Sequence, residues 1–98
     1  MEGHALISLD VLARYTADAA REVAGVHGLV GRHEGVKVSR EDGRVGIELH
    51  LELDWGANAA TVGAEVQANV AECLVRMADI RPVSIDVVVD EWRSESPA

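Results

Sequence analysis

A chain of 98 residues with a net charge of −8 and 48% hydrophobic residues has the size of one small domain, with a modest core built from Val, Leu, Ile and Ala because no Phe is present. The acidic balance disfavours DNA or anionic lipid as a non-specific partner, since neutralised phosphates supply most of that affinity. A single cysteine excludes an intrachain disulfide and fits a reducing compartment, the opening MEGHALISLD lacks the basic stretch and apolar run of a secretory signal, and no apolar run approaches the ~20 residues that span a bilayer.

Along the chain, His4–Ile7 is short and apolar enough for a brief first strand or an extended lead-in. Ser8 is an N-cap candidate and Asp10 faces the positive end of the helix dipole, so Leu9 to Ala24 reads as a helix ended by Gly25. Leu9, Leu12, Thr16, Ala20 and Val23 share its apolar face, and Ala13, Ala17, Ala20 and Ala24 form a column beside it. Gly25–Gly35 is punctuated by glycine and reads as a loop. Val36–Arg40 and Arg44–Asp54 then alternate on either side of Asp42-Gly43, a strong hairpin signal. A two-residue turn there pairs Glu41 with Arg44, Val38 with Ile47 and Val36 with Leu49, and sets Lys37 opposite Glu48 on the other face, so turn chemistry and pattern agree on the register. Val45, Ile47, Leu49, Leu51 and Leu53 face inward, while Glu48, His50, Glu52 and Asp54 face outward, as in a sheet with one wet face.

Ala59–Met77 is the longest predicted helix, with Asn58 as its N-cap. Val62, Val66, Val70, Cys73, Leu74 and Met77 make its apolar stripe, Glu65, Glu72 and Arg76 a charged one, and Ala64, Ala68, Ala71 and Val75 a small-residue face. That face repeats the spacing of Ala13, Ala17, Ala20 and Ala24, which predicts that the two columns pack helix on helix; alanine as a common helix former is the alternative. Pro82 closes the helical region, and Val83–Trp92 is the last strand, with Val83, Ile85, Val87 and Val89 on one side and Ser84, Asp86, Val88 and Asp90 on the other. Residues 1–92 are therefore predicted to form one α+β domain, (β)αββαβ, a two-layer sandwich of a small, mainly antiparallel sheet with two helices on one face, followed by a disordered polar tail at 93–98. Pattern alone does not place the last strand within the sheet.

No nucleophile elbow, P-loop or glycine-rich dinucleotide motif is present, and no catalytic, cofactor or metal residue is assigned. His4, His27, His33 and His50 lack metal-ligand spacing, and Cys73, on the apolar stripe, reads as a buried, inert thiol. The outer sheet face carries Glu48, Glu52, Asp54, Asp86 and Asp90 around His50; it is either a solvated face, a docking surface for a basic partner or a weak divalent-cation site. Trp55 and Trp92 stand at strand ends, Trp92 on the strand face of outward Val88; they are either interface anchors or caps on the edge of the core. Gly28-Leu29-Val30-Gly31, followed by Arg32 and His33, has the GxxG spacing with which KH domains clamp nucleic-acid backbone, although it follows a helix, precedes a strand and has apolar middle residues.

Several pieces in order resemble the alkaline-shock/general-stress protein family of Gram-positive bacteria, the envelope stress response proteins. These are Ile7, Ser8, Val11 and Leu12; then Ala20, Glu22, Val23, Gly25 and Val26; then Gly35–Val38; then Trp55 and Gly56 closing the alternating strand; then Val66, Gln67, Asn69 and Val70; and last Val83, Ile85, Val87 and Val89. The chain departs at Ala24, where proline is usual, at Trp55, where tyrosine is commoner, and at Ala78-Asp79, where glycine often ends the second helix. The resemblance implies a non-enzymatic, abundant cytoplasmic protein without a cofactor, often self-associating, recruited to the membrane by a small membrane-anchored partner and needed for envelope homeostasis. Asn69, on the apolar stripe, is expected to be a buried amide bonding main chain near the strands, with Gln67 at the stripe's edge. The resulting expectation is a scaffold that contacts copies of itself and an anchor protein through Trp55, Val88, Trp92, Glu48, His50 and Glu52. The alternative is a KH-like RNA-binding module using Gly28, Gly31, Arg32 and His33.

Overall fold

The computed structural model describes residues 7–94. Its elements run α1 (Leu9–Arg21), β1 (Val26–Leu29), β2 (Val36–Glu41), β3 (Arg44–Leu53), α2 (Ala59–Ala78) and β4 (Ser84–Trp92), the predicted α+β layering of two helices on one face of a small, mainly antiparallel sheet. The predicted opening strand lies outside the described residues except for Ile7, which is in no strand.

β3 is the centre of the sheet. β2 pairs antiparallel with its first half, Arg44 to Leu49, and β1 pairs antiparallel with its end, Leu51 to Leu53, so β1 and β2 lie end to end along one edge. β4 occupies the other edge, parallel to β3 from Gly46 to Leu53. A parallel neighbour needs a crossover, and α2 supplies it as the helix of a β3–α2–β4 unit. The hairpin is the one predicted. Asp42 (φ 52°) and Gly43 (φ 77°) both take positive φ, as a type I′ turn requires, and Glu41–Arg44, Val38–Ile47, Val36–Leu49 and Lys37–Glu48 stand in register.

The stretch Gly25–Gly35, read as a loop, corrects to strand β1 plus an excursion. Four residues without strong alternation carry no local strand signal; β1 exists because the end of β3 would otherwise lack a partner, and bonds from Asp54 N–H to Gly25 O (2.8 Å) and from Val30 N–H to His50 O (3.0 Å) bracket it. The chain then turns through His33 (φ 54°), Glu34 (φ 56°) and Gly35 (φ 82°), three left-handed residues in succession. A Cβ at Gly35 would lie 2.8 Å from Leu29 Cβ and 2.9 Å from Val30 N, so only glycine lets the base of the excursion close. The two non-glycine positions each cost on the order of 1 kcal/mol.

Both predicted N-caps form: Ser8 Oγ accepts from Val11 N–H (3.1 Å) and Asn58 Oδ1 from Thr61 N–H (2.9 Å). α1 stops at Arg21, short of the predicted Ala24, because residues 22–25 are spent turning the chain into β1. α2 ends with Asp79 in the left-handed conformation (φ 55°), its N–H on Val75 O (3.0 Å) and the Ile80 N–H on Leu74 O (3.1 Å). The core joins Val45, Ile47, Leu49, Leu51 and Leu53 of β3 to Leu12, Ala19 and Ala20 of α1 and to Val62, Val66, Val70, Cys73 and Leu74 of α2. Met77, predicted on that stripe, is exposed in the last turn.

The predicted packing of the two alanine columns is not formed along their length; only Ala24 and Ala68 come near each other, lining a shallow pocket beside Asn69. Ala64 and Ala68 are exposed, and Ala13 and Ala17 line a groove against Val36 and Val38 of β2. The helix seam runs instead through Asn69 Nδ2 donating to Ala19 O (2.7 Å) and Cys73 Sγ donating to Tyr15 O (3.7 Å). Each helix must lay its apolar stripe on the sheet, and that rotation turns Ala13, Ala17 and Ala64 away from the seam. Asn69 thus bonds main chain as expected, but that of α1 and not of the strands. The amide that reaches a strand is Gln67, whose Nε2 donates to Ile85 O (2.8 Å) at β4.

Candidate partner surface

Paired residues share a side of the sheet, so the register brings Glu48, His50, Glu52 and Val88 together on the face away from the helices: Glu48 beside Asp86, and His50 beside Val88. Trp92 does not join them. β4 holds one extra residue near Asp90, so that Leu51 pairs with Val89 but Glu52 with Glu91 and Leu53 with Trp92. This bulge shifts the alternation by one, and Trp92 falls on the side of the inward Leu53. The expectation that Trp92 shares a face with Val88 is corrected accordingly. Trp92 is 46% exposed at the end of β4, and Trp55 is 63% exposed in the turn after β3.

His50 is the most strongly engaged side chain of the outer face. Its Nε2 meets Glu48 Oε2 at 2.6 Å and its Nδ1 meets Asp90 Oδ2 at 2.7 Å. Both nitrogens can donate at once only in the imidazolium, so the hydrogen bond to Glu48, and next that to Asp90, hold the His50 pKa above its ordinary 6.5. Asp90 belongs to the irregular turn of β4, so this cluster also ties the bulge to β3. Nearby, His27 Nδ1 lies 3.3 Å from Asp54 Oδ1 and its Nε2 takes a hydrogen bond from Arg93 Nη1 (3.1 Å). Arg93, the first residue of the predicted disordered tail, is anchored as well by its N–H on Leu53 O (2.7 Å); residues 95–98 lie outside the described residues.

The GLVG segment is not a loop between helices. Gly28 and Leu29 belong to β1 and Val30 is bonded to β3, so only Gly31, Arg32 and His33 leave the sheet. They line a shallow pocket of about 400 Å³ with Lys37, over Glu48, His50 and Asp90, where acidic groups would meet any approaching phosphate. Among the described residues no three His, Cys, Asp or Glu side chains converge as metal ligands, and no helix is long and apolar enough to cross a membrane. Cys73 is buried, and that burial pushes its thiol pKa up.

A second surface lies where α2 overhangs β4. Ala60 and Ala64 are exposed and Ala71, Val75 and Ala78 half-buried along the outer flank of the helix. Beneath them Ile85, Val87 and Val89 are only half-buried, and Val83 is 65% exposed. Gly63 faces this strand, and a Cβ there would meet Val87 Cγ1 at 4.0 Å, an ordinary van der Waals contact. Among the described residues no strand pairs with the outer edge of β4. The signal for this surface was in the sequence as the small-residue face of α2, there assigned to the other helix.

Residues 30–93 match the model of the alkaline shock protein family, described as having a cell envelope-related function. The chain belongs to the alkaline shock protein family. The matched span holds the excursion, the hairpin, α2 and β4, hence both surfaces of this alkaline-shock-family chain. Among solved structures it is similar to a MamM-CTD variant (20% identity, TM-score 0.69, covering 89% of this chain and 100% of that one), to a copper form of a MamM CTD variant (19%, 0.69, 89% and 100%) and to a nickel form of another (18%, 0.68, 88% and 100%). At that identity the likeness is one of fold. No characterised protein matches by sequence.

Proposed function

We propose that this member of the alkaline shock protein family is a non-enzymatic adapter that acts through protein–protein contact at the cytoplasmic side of the cell envelope, held there by a small membrane-anchored partner and by copies of itself. The carrying observation is the apolar overhang of α2 on β4, where Ile85, Val87 and Val89 are half-buried and Val83 and Trp92 exposed, without a partner element among the described residues. Contiguous apolar surface of this kind marks interaction sites, and aromatic residues such as Trp92 and Trp55 are favoured anchors there. Around the β4 edge, on the other face of the sheet, Glu48, His50 and Glu52 with the exposed Val88 border the proposed contact. His50 has both nitrogens engaged by carboxylates, which leaves neither free as a general base and favours a binding role for the cluster.

The test is affinity capture from detergent-solubilised membranes, with wild type beside Trp92→Ala. A small integral membrane protein co-purifying at fixed stoichiometry with wild type, and lost with Trp92→Ala, is the expected result. Recovery of wild type wholly in the soluble fraction, with no membrane protein bound, overturns it. So does RNA binding with a Kd on the order of micromolar and a steep salt dependence, which would restore the RNA-binding alternative.

A further inference from the structure

We infer that the open edge of β4 takes up an extended segment of another protein as an added strand, one in which apolar residues alternate with basic ones. The inference rests on the adapter reading and names how its β4 surface holds a partner.

An edge strand offers a row of unpaired N–H and C=O groups that another chain can complete, and folds that avoid this break the edge with lysine, proline or a bulge, or cover it. β4 is paired with β3 without interruption from Ser84 to Val89, roughly 20 Å of strand, and its bulge comes only after that. No lysine, arginine or proline occurs between Pro82 and Arg93. Among the described residues no strand lies outside β4, and one side chain bonds its backbone, Gln67 on the Ile85 carbonyl (2.8 Å). The opposite edge of the sheet is guarded: β2 carries Lys37 and Arg40, and the excursion separates it from β1.

The helix defines the inner side of the added strand. Gly63 lies over Val87 and Gln67 over Ile85, so α2 runs antiparallel to β4 above it. Ala60 and Ala64 are exposed and Ala71 half-buried on the flank that follows the edge. Side chains this small leave space under the helix beside Ile85, Val87 and Val89, which are still half-buried. An added strand directs every second residue into that space, where valine-sized side chains lose water against both layers.

The outer side is defined by charge. Asp90 is held by His50, and Glu48, next to Asp86 in register, is held by the same ring. Asp86 and Glu91 have no ion-pair partner among the described residues, and Glu52 stands beside Glu91. Val88, 38% exposed, lies between them. Lysine or arginine beside Asp86 and Glu91, with an uncharged residue beside Val88, completes that pattern, since opposite charges on neighbouring strands attract. An acidic segment is repelled, and so is the β4 of another copy, which would set acids against acids.

The probe is a fluorescein-labelled synthetic peptide, Val-Lys-Val-Thr-Val-Lys-Val, titrated into the full chain and read by anisotropy and by amide NMR. Saturable binding is expected, with shift changes and slowed amide exchange confined to β4 and the flank of α2. A shuffled peptide with its valines together binds several-fold more weakly, as does the peptide N-methylated at alternate amides in whichever of the two phases faces β4. Asp86→Lys/Glu91→Lys weakens binding several-fold and moves the preference to the counterpart with glutamate in place of lysine. Ala60→Gln/Ala64→Gln, two exposed sites that fill the space under the flank, weakens both peptides; circular dichroism verifies that the variants fold. Absence of binding, equal binding of the shuffled peptide, indifference to N-methylation in both phases, or shifts centred on the α1/β2 groove overturn the inference. So do β4 amides that gain protection with chain concentration alone, which would put a second copy on that edge. Capture of the membrane protein is read separately: capture without peptide binding removes strand addition and leaves the adapter, whereas peptide binding at β4 without capture removes only the membrane partner.

Discussion

Leu49 in β3 and Val87 in β4 stand side by side in register on the helix-facing side of the sheet, yet Leu49 is fully buried and Val87 only half-buried. Both strands alternate apolar and polar residues over most of their length. β3 has pairing strands along both edges and two helices above it, whereas β4 has one neighbour and lies under the flank of α2. Alternation therefore tells which way a side chain points, and position in the sheet tells how much water it loses. The half-buried strand is the one that leaves surface over for a partner.

The largest break in this comparison is Leu49→Ala, expected to cost about 3 kcal/mol in chemical denaturation, against about 1 kcal/mol for Val87→Ala, because a cavity in β3 is closed on all sides while the site at Val87 is partly wet. Equal losses at the two positions would show that β4 is covered in solution. Next comes Gln67→Ala, which removes the hydrogen bond that ties α2 to the Ile85 carbonyl; it should cost about 0.5–1 kcal/mol and speed amide exchange in β4 while leaving β3 protected. An effect spread evenly over both strands would contradict the tether.

Asp79→Gly acts in the opposite direction. Asp79 holds φ 55° where α2 hands over to β4, and its contact with Arg81 is long (3.5 Å) and exposed, so relief of backbone strain should stabilise the fold by about 0.5–1 kcal/mol. A loss of stability would show that the Asp79 carboxylate matters more than its backbone.

The smallest effect is pH-dependent and joins the two strands on their other face. The His50 pKa is raised in the folded state by Glu48 and Asp90, so its contribution to stability is fully present below the unfolded value near 6.5 and is lost as pH rises through the raised folded value. The difference in Tm between wild type and His50→Gln should accordingly be widest on the acidic side of 6.5, above the range where the carboxylates protonate, and narrow towards alkaline pH. An NMR titration of the His50 ring with a midpoint at or below 6.5 would refute the clamp.

What could be read without coordinates is whatever neighbours along the chain decide. Ser8 and Asn58 cap their helices because each needs only an N–H three residues on. Asp42-Gly43 dictates the β2–β3 register because a type I′ turn leaves the flanking residues no other pairing. The apolar stripes of α1 and α2 and the inward set of β3 follow from periodicity, and the ordered motifs along the chain pointed to the family that the match over residues 30–93 shows. The three-dimensional arrangement decided everything that depends on a distant partner. β1 is a strand only because β3 is longer than β2, the phase of Trp92 depends on one extra residue accommodated near Asp90, and Ala64 and Ala68 face outward while Ala17 and Ala20 are buried because the sheet claims the stripes beside them. Local dihedral preferences and side-chain period are properties of a few successive residues, whereas burial, seam and open edge belong to surfaces that exist only after the layers have met.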